Sequence, residues 1–411
     1  MAFTGATAGI AAGAQTNDTV LDWALEATYK TPPTGNYQQG RFTAETLSRQ
    51  ETTARPLEIN TVKEVSQSVV TQIAASGRIS GALSTGTYDD FLAGVLGSDW
   101  SAVSATSSGG TDGVYIQCFG ESNTADGKAE LIVIGGANIT SEIPKSGFLI
   151  LNSTTDNISD LYLPYFITSD KKRLGVPNGS FSMLNKDVVL ASGATITFAN
   201  IQNGGTDKTY TIRKKILGKY LMYPGSVINQ MQFTFAQGQF AQIEVDVLPA
   251  NELLSDTDIA ASVLLAPSGN VHNTVDNFLG VSIFGVTPAG CVTNASITLA
   301  RSGSKVDYGN GHADGCSAEL GQFQATGSLS LYFRTWDQYQ AALAGTQGPV
   351  IIKSVDNTGN GYAFVFINAA LRNPQLQTDS VNKTYELKLD IEGNPAAYGE
   401  TFAIFRLAPG S

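Results

Sequence analysis

Strict alternation of apolar and polar residues is the clearest pattern in this chain. In "QMQFTFAQGQFAQIEVDVLP" (230–249), Met231, Phe233 and Phe235 alternate with Gln232 and Thr234. Beyond Gly238, the set Ala241, Ile243, Val245 and Val247 alternates with Gln242, Glu244 and Asp246. In "KTYELKLDIEG" (383–393), Tyr385, Leu387, Leu389 and Ile391 alternate with Glu386, Lys388, Asp390 and Glu392. A period of two predicts strands with one packed face and one polar face. "VIIKS" and "YAFVFIN", joined by "VDNTGNGY" (355–362), predict a hairpin.

Helical spacing occurs twice. In "GTYDDFLAGVLG" (86–97), Tyr88, Phe91, Leu92, Val95 and Leu96 form one apolar stripe. The pattern predicts a short helix over 87–96, with Thr87 as its cap, Asp89 and Asp90 in the first turn and Gly97 as its stop. In "RTWDQYQAALAG" (334–345), Thr335, Trp336, Asp337, Tyr339, Leu343 and Gly345 occupy the same frame 248 residues on, from 87 to 335. That predicts a second helix over 335–344, with Trp336 and Tyr339 in the core. A strand precedes each helix, "GRISGALS" (77–84) and "ATGSLSLYF" (325–333).

The separation is too long for a solenoid repeat and predicts a duplicated domain. One copy begins near residue 20 and the other spans about 290–411. Between helix and hairpin of the first copy, residues 103–195 carry short apolar runs such as "GVYIQCF" and "SGFLILN". Turn residues separate these runs, so a small inserted β-barrel or sandwich is expected. The fold class is therefore mainly β. Two tandem β domains, each with one short helix, would occupy 1–102 with 196–250, and 288–411. The insert takes 103–195, and 251–287 forms a linker.

Composition narrows the function. Charged residues make up only 15% of the chain, Gly is abundant at 43, and the net charge is −11. A phosphate-gripping protein needs a basic face. The densest cationic run here is "RKKILGK" (213–219), which reads as a solvated strand edge protected by lysines or as a contact to an acidic neighbour. Cys118, Cys291 and Cys316 are too few and scattered for a disulfide framework, so a reducing site of folding is expected. The start, "MAFTGATAGIAAGAQ", lacks the pattern of a signal peptide, and no apolar run has the length of a membrane span. A protein made in a cytoplasm and without membrane contact is expected. His272 and His312 are the only histidines; His312, Asp314 and Cys316 read as a Gly-rich interaction loop rather than a metal site. G-x-S-x-G, Walker A and H-E-x-x-H motifs are absent. No catalytic, cofactor or metal residue is assigned, and no enzyme activity is expected.

Three stretches carry a family resemblance: "LDWALEATYKTPPTGNYQQGRFTAETLSRQETTARPLEIN" (21–60), "ASGRISGALSTGTYDDFLAGVLGSDW" (75–100) and "GQFQATGSLSLYFRTWDQYQAALAGT" (321–346). The run from Trp23 to Gly35 is the most specific. The sequence resembles the tail tube (major tail) proteins of long, non-contractile-tailed bacteriophages, over most of 20–100 and 200–411. The resemblance implies tail-tube-type β-sandwich domains whose sheets join edge to edge into rings. Stacked rings would enclose a lumen through which double-stranded DNA is ejected into the host without specific binding. It also implies assembly in the host bacterial cytoplasm, a place in the virion tail, and contacts with tape measure, tail terminator and distal tail proteins.

A long loop that bridges to a neighbouring subunit would correspond to 51–72, with Arg55, Pro56, Leu57, Ile59, Val62 and Val65 as contact residues. Residues 305–322 hold the corresponding place in the second copy. The lumen candidates are Gln232, Thr234, Gln242, Glu244, Asp246, Glu386, Lys388 and Asp390. Tubes of this family present six domains per ring, so a chain with two implies homotrimeric, pseudo-hexameric rings; a true homohexamer is the competing arrangement. The residues also permit a reading of another class, a surface-binding adhesin or carbohydrate-binding β-protein.

Overall fold

The computed structural model describes residues 15–59, 61, 64–110, 113–124, 127–136, 143–168, 173–177, 187–376, 381–396 and 400–409. The chain is mainly β. The strands used below are β1 (Val20–Leu25), β2 (Ala44–Glu45), β3 (Ser48–Ala54) and β4 (Val69–Ala82), followed by helix α1 (Asp89–Leu96). Then come β5 (Ser146–Ser153), β6 (Tyr210–Ile216), β7 (Lys219–Ala236), β8 (Gln242–Leu248) and β9 (Phe278–Ile283). The rest are β10 (Val292–Ser302), β11 (Gln322–Tyr332), helix α2 (Asp337–Ala344), β12 (Gln347–Val355), β13 (Gly361–Leu376), β14 (Glu386–Asn394) and β15 (Phe402–Leu407).

Alternation becomes one large antiparallel sheet. β4 carries β2 and β3 on one side and β8 on the other. β8 pairs β7, β7 pairs β10, β10 pairs β11, β11 pairs β14 and β14 pairs β13. The two halves of this sheet match strand for strand. Val245 sits opposite Ile79 as Ile391 sits opposite Gly327, and Glu244 opposite Gln232 as Asp390 opposite Arg372. On the outer side of β4, Ser48 faces Ser76 as Ala300 faces Gln324 on β10–β11. The halves meet where β7 pairs β10, from Gln230↔Ala300 to Ala236↔Asn294.

A second layer covers the apolar face. In the first half it contains β1, β6 and the N-terminal part of β7; in the second, β9, β12, β15 and the N-terminal part of β13. Long β7 and β13 thus run through both layers. One continuous core fills the space between, from Trp23, Ile79 and Phe91 through Met231 and Phe233 to Phe364, Leu389 and Phe402.

The interrupting segment forms an eight-stranded antiparallel sheet around its own core, including Ile116, Ile132, Leu149, Leu163 and Ile196. Its outer contact is a third core: Phe148 and Ile150 of β5 pack on Ile351, Val365, Ala403 and Phe405. Both faces of β13 are therefore buried, which accounts for its nearly unbroken apolar run from Tyr362 to Ile367. Lys353 pairs with Asp160 at 2.9 Å across the same boundary. The 251–287 stretch includes β9, a strand of the second half's outer layer.

Both helices occur where the pattern placed them, and both stop at a left-handed glycine, Gly97 (φ 64°) and Gly345 (φ 66°). Their starts differ from expectation. Thr87 does not cap α1, because its hydroxyl is engaged with Ser84 Oγ at 2.7 Å and Tyr88 holds the cap position. Trp336 holds that position in α2, and the Thr335 hydroxyl is buried without a hydrogen-bond partner among the described residues. The second stripe is core only in part, for Tyr339 is half-buried against the main core. Trp336 and Leu343 are exposed, and only Gln338 and Ala342 of the helix are buried, because the chain lays no further layer over that face.

Candidate functional surfaces: the polar sheet face and the open edges

Period-two alternation sends the polar residues of the large sheet to one face. Gln232 and Thr234 of β7, Gln242, Glu244 and Asp246 of β8, and Glu386, Lys388 and Asp390 of β14 share it, opposite the core. Ser296 and Thr298 of β10 continue it across the seam between halves. Sequence reasoning missed two cations on this face. Arg78 bonds Glu244 and Asp246, each at 2.6 Å, and Arg372 bonds Glu392 at 2.8 Å. Asn373 donates to Asp390 at 2.7 Å, and Thr293 donates to Glu386. The face is thus mildly acidic, with Glu244, Asp246 and Glu392 paired to arginines, rather than bare acid. The parity of Arg78 against buried Ile79 was the available signal; Arg372 follows an apolar run that hid it.

Among the described residues, the edges of this sheet are open. On one side stand β2 and β3. On the other, Leu371–Leu376 of β13 pairs only with β14 among the described residues. Beyond β2 the chain forms an arm, β3 (Ser48–Ala54) against Val69–Ser76, with a tip between them. At the tip Leu57, Ile59 and Val65 are exposed, Pro56 likewise, and Arg55 donates to the Ser66 carbonyl at 3.1 Å. Val62 lies outside the described residues.

The equivalent segment of the second half is already covered. A small hairpin, Lys305–Asp307 against Ser317–Glu319, has a tip that rests on the first half. Lys30 Nζ bonds Asp314 at 2.6 Å and the Gly315 carbonyl at 2.7 Å, and the Ile73 amide donates to Ala313 at 2.7 Å. The histidine and cysteine of this loop gather no metal cluster among the described residues. Nearly the whole chain, residues 16–400, matches the family described as phage tail tube protein.

The chain belongs to the phage tail tube protein family.

Its place is accordingly among the structural components of a virion tail. No curated protein matches the chain. No helix among the described residues is long and apolar enough to cross a membrane.

Other polar clusters of this tail tube protein have structural roles. Arg213 of the cationic run is buried, not at a solvated edge. β6 lies between β1 and β7, and Arg213 pairs with Asp22 at 2.7 Å and Asp258 at 2.8 Å over the Tyr37 ring. The neighbouring Lys214 pairs with Glu45. His272 is fully buried between the halves, with Nδ1 3.0 Å from Ser354 Oγ and Nε2 3.2 Å from Thr85 Oγ1. Burial pushes its imidazole down to about 4, against a smaller upward pull from Asp356.

Proposed function

We propose that this chain is the subunit of a tail tube in which two tube domains per chain alternate around each ring. The first domain comprises 1–102 and 196–250, interrupted by the 103–195 insert; after a linker at 251–287, which also lends β9 to the next domain's outer layer, the second spans 288–411. The observation that carries this reading is the β7–β10 seam. Two equivalent half-sheets are already joined edge to edge within one chain, and the composite retains one unpaired edge at each end. Such edges are hazards in a monomer and pairing surfaces in an assembly. Head-to-tail joining that closes gives a ring. Three chains supply the six domains of a tube ring.

The polar face lines the lumen in this reading, because the opposite face carries the core and, beyond it, the insert. DNA carries about one negative charge per 1.7 Å of axis, so a strongly cationic wall would hold it. A mildly acidic wall, with Arg78 and Arg372 tied to carboxylates, lets it slide during ejection. The tip at 55–66 grips a neighbouring chain as the Asp314 loop grips Lys30 within this one. Terminator, tape measure and distal tail proteins meet the tube at its ends and along its lumen.

Symmetry analysis of assembled tubes by cryo-microscopy tests the reading. Three chains per ring with two alternating domains is expected; six identical chains per ring would overturn it.

A further inference from the structure

Within the chain, α1 ends against an arginine from the other half. Arg301 of β10 donates from Nε to the Val95 carbonyl at 2.7 Å and from Nη2 to Gly204 at 3.3 Å. It is 7% exposed, and Val95 is 0% exposed. A cation at the C-terminus of a helix satisfies orphan carbonyls and the negative end of the dipole. α2 has the same terminal geometry, yet Leu343, at the position of Val95, is 69% exposed. The Leu343 carbonyl accepts no side-chain hydrogen bond within the described chain. Arg372 lies near Gly345, but its guanidinium is held by Glu392.

The first half contains the missing residue. Arg49 faces Ala75 in β3–β4 as Arg301 faces Phe323 in β10–β11. It lies on the same strand face as buried Leu47, as Arg301 lies on that of Leu299. Arg49 is not buried there; among the described residues its guanidinium pairs with nearby Glu51 alone, at 2.5 Å. One half therefore has a helix end without its arginine, and the other an arginine without its helix end. No single chain can bring them together as Arg301 and α1 are brought together, because each lies at the opposite open edge of the sheet.

We infer that Arg49 of one copy caps the C-terminal end of α2 in a second copy, while residues 43–49 pair antiparallel with Leu371–Leu376. The inference rests on the ring reading above and adds its register. Thr234 is paired with Gln242 as Gln375 is with Lys388, and Ser296 with Ser328 as Ala44 is with Ser80. The Thr234↔Ser296 pair of the internal seam therefore maps onto Gln375 of one chain opposite Ala44 of the next. The occupant of the exposed α2 end is a second copy of this chain, and Leu343 is buried with it.

Two measurements on the purified full chain test this. Arg49→Ala is expected to leave the melting temperature of the unassembled chain unchanged and to raise the concentration at which light scattering reports tubes roughly ten- to a hundredfold, the range of a lost charge-assisted hydrogen bond. An unchanged threshold would overturn the capping role while leaving the ring reading intact. For register, Gln375→Cys is combined with Ala44→Cys in a Cys291→Ser, Cys316→Ser background. Facing strand residues stand about 4.5–5.5 Å apart at Cα, within disulfide reach. Oxidised tubes are expected to give covalent chain ladders with this pair and not with Gln375→Cys plus Glu45→Cys. The reverse result overturns the register. A wild-type chain that never assembles removes the ring reading, and this inference with it.

Discussion

α1 and α2 begin with the same motif, end at the same kind of glycine and lie 248 residues apart, from Asp89 to Asp337, yet one is core and the other surface. Phe91 of α1 is wedged between Trp23 and Tyr210, at 4.3 and 5.9 Å between ring centroids. Tyr362 and Arg406 of the second half bond Asp89 in the first turn, and Arg301 closes the last. Tyr339, at the position of Phe91, meets Trp336 edge-on at 5.4 Å, and that ring is itself half in solvent. The lesson is that an apolar stripe states a demand for cover and does not say which chain supplies it.

The contrast can be broken most strongly at Phe91. Phe91→Ala is expected to cost about 3–5 kcal/mol, because the cavity lies in a core that cannot collapse around it. Tyr339→Ala should cost a fraction of that in the isolated chain. Urea denaturation of the two variants measures the difference, and equal losses would show that the helices are equally packed.

Lowering the pH weakens the cover of α1 from the other side. His272 is neutral when folded, with a value of about 4 against an ordinary 6.5. A depressed value means that the unfolded chain takes up the proton first. Stability from this group is therefore complete above about pH 6.5 and is lost as pH falls towards 4, by about 3 kcal/mol in all. Denaturation midpoints between pH 7 and pH 4 should fall, and the part of the fall due to this group should vanish in His272→Asn.

Arg301→Ala is expected to cost about 1.5–3 kcal/mol in the unassembled chain, the range for hydrogen bonds to a charged group. Smallest is Leu343→Ala, within about 0.5 kcal/mol before assembly, as for other exposed positions. Thermal melts of the two variants side by side rank the buried helix end against the open one.

Alternation made the inner sheet legible. Every polar residue assigned to one face, from Gln232 to Asp390, lies on it, because a packed opposite face fixes the register. Both helices were legible from stripe and glycine stop. What could not be read was the second layer. Burial of Arg213 depends on Asp22 and Asp258, which are distant in sequence, so a basic run resembled a surface edge. Thr87 looked like a cap because composition does not reveal that Ser84 engages its hydroxyl. The arm residues Leu57 and Ile59 were legible as apolar side chains on a loop, and both stand exposed at its tip.

The insert has a consequence for how the chain folds. It leaves and rejoins the first half at one point: the Ser101 amide donates to Asn200 at 2.7 Å, and Asn200 Nδ2 donates back to Ser101 at 2.8 Å. For β4 to find β8, residue 82 must meet residue 242. With the insert unfolded, that closure spans about 160 residues; once the insert is folded, its ends act as a short tether and about 60 remain. A loop-closure entropy that grows with the logarithm of length makes the saving only about 0.9 kcal/mol. An early-folding insert therefore eases the long-range search slightly, while an insert of quite different length could occupy the same doorway at little entropic cost.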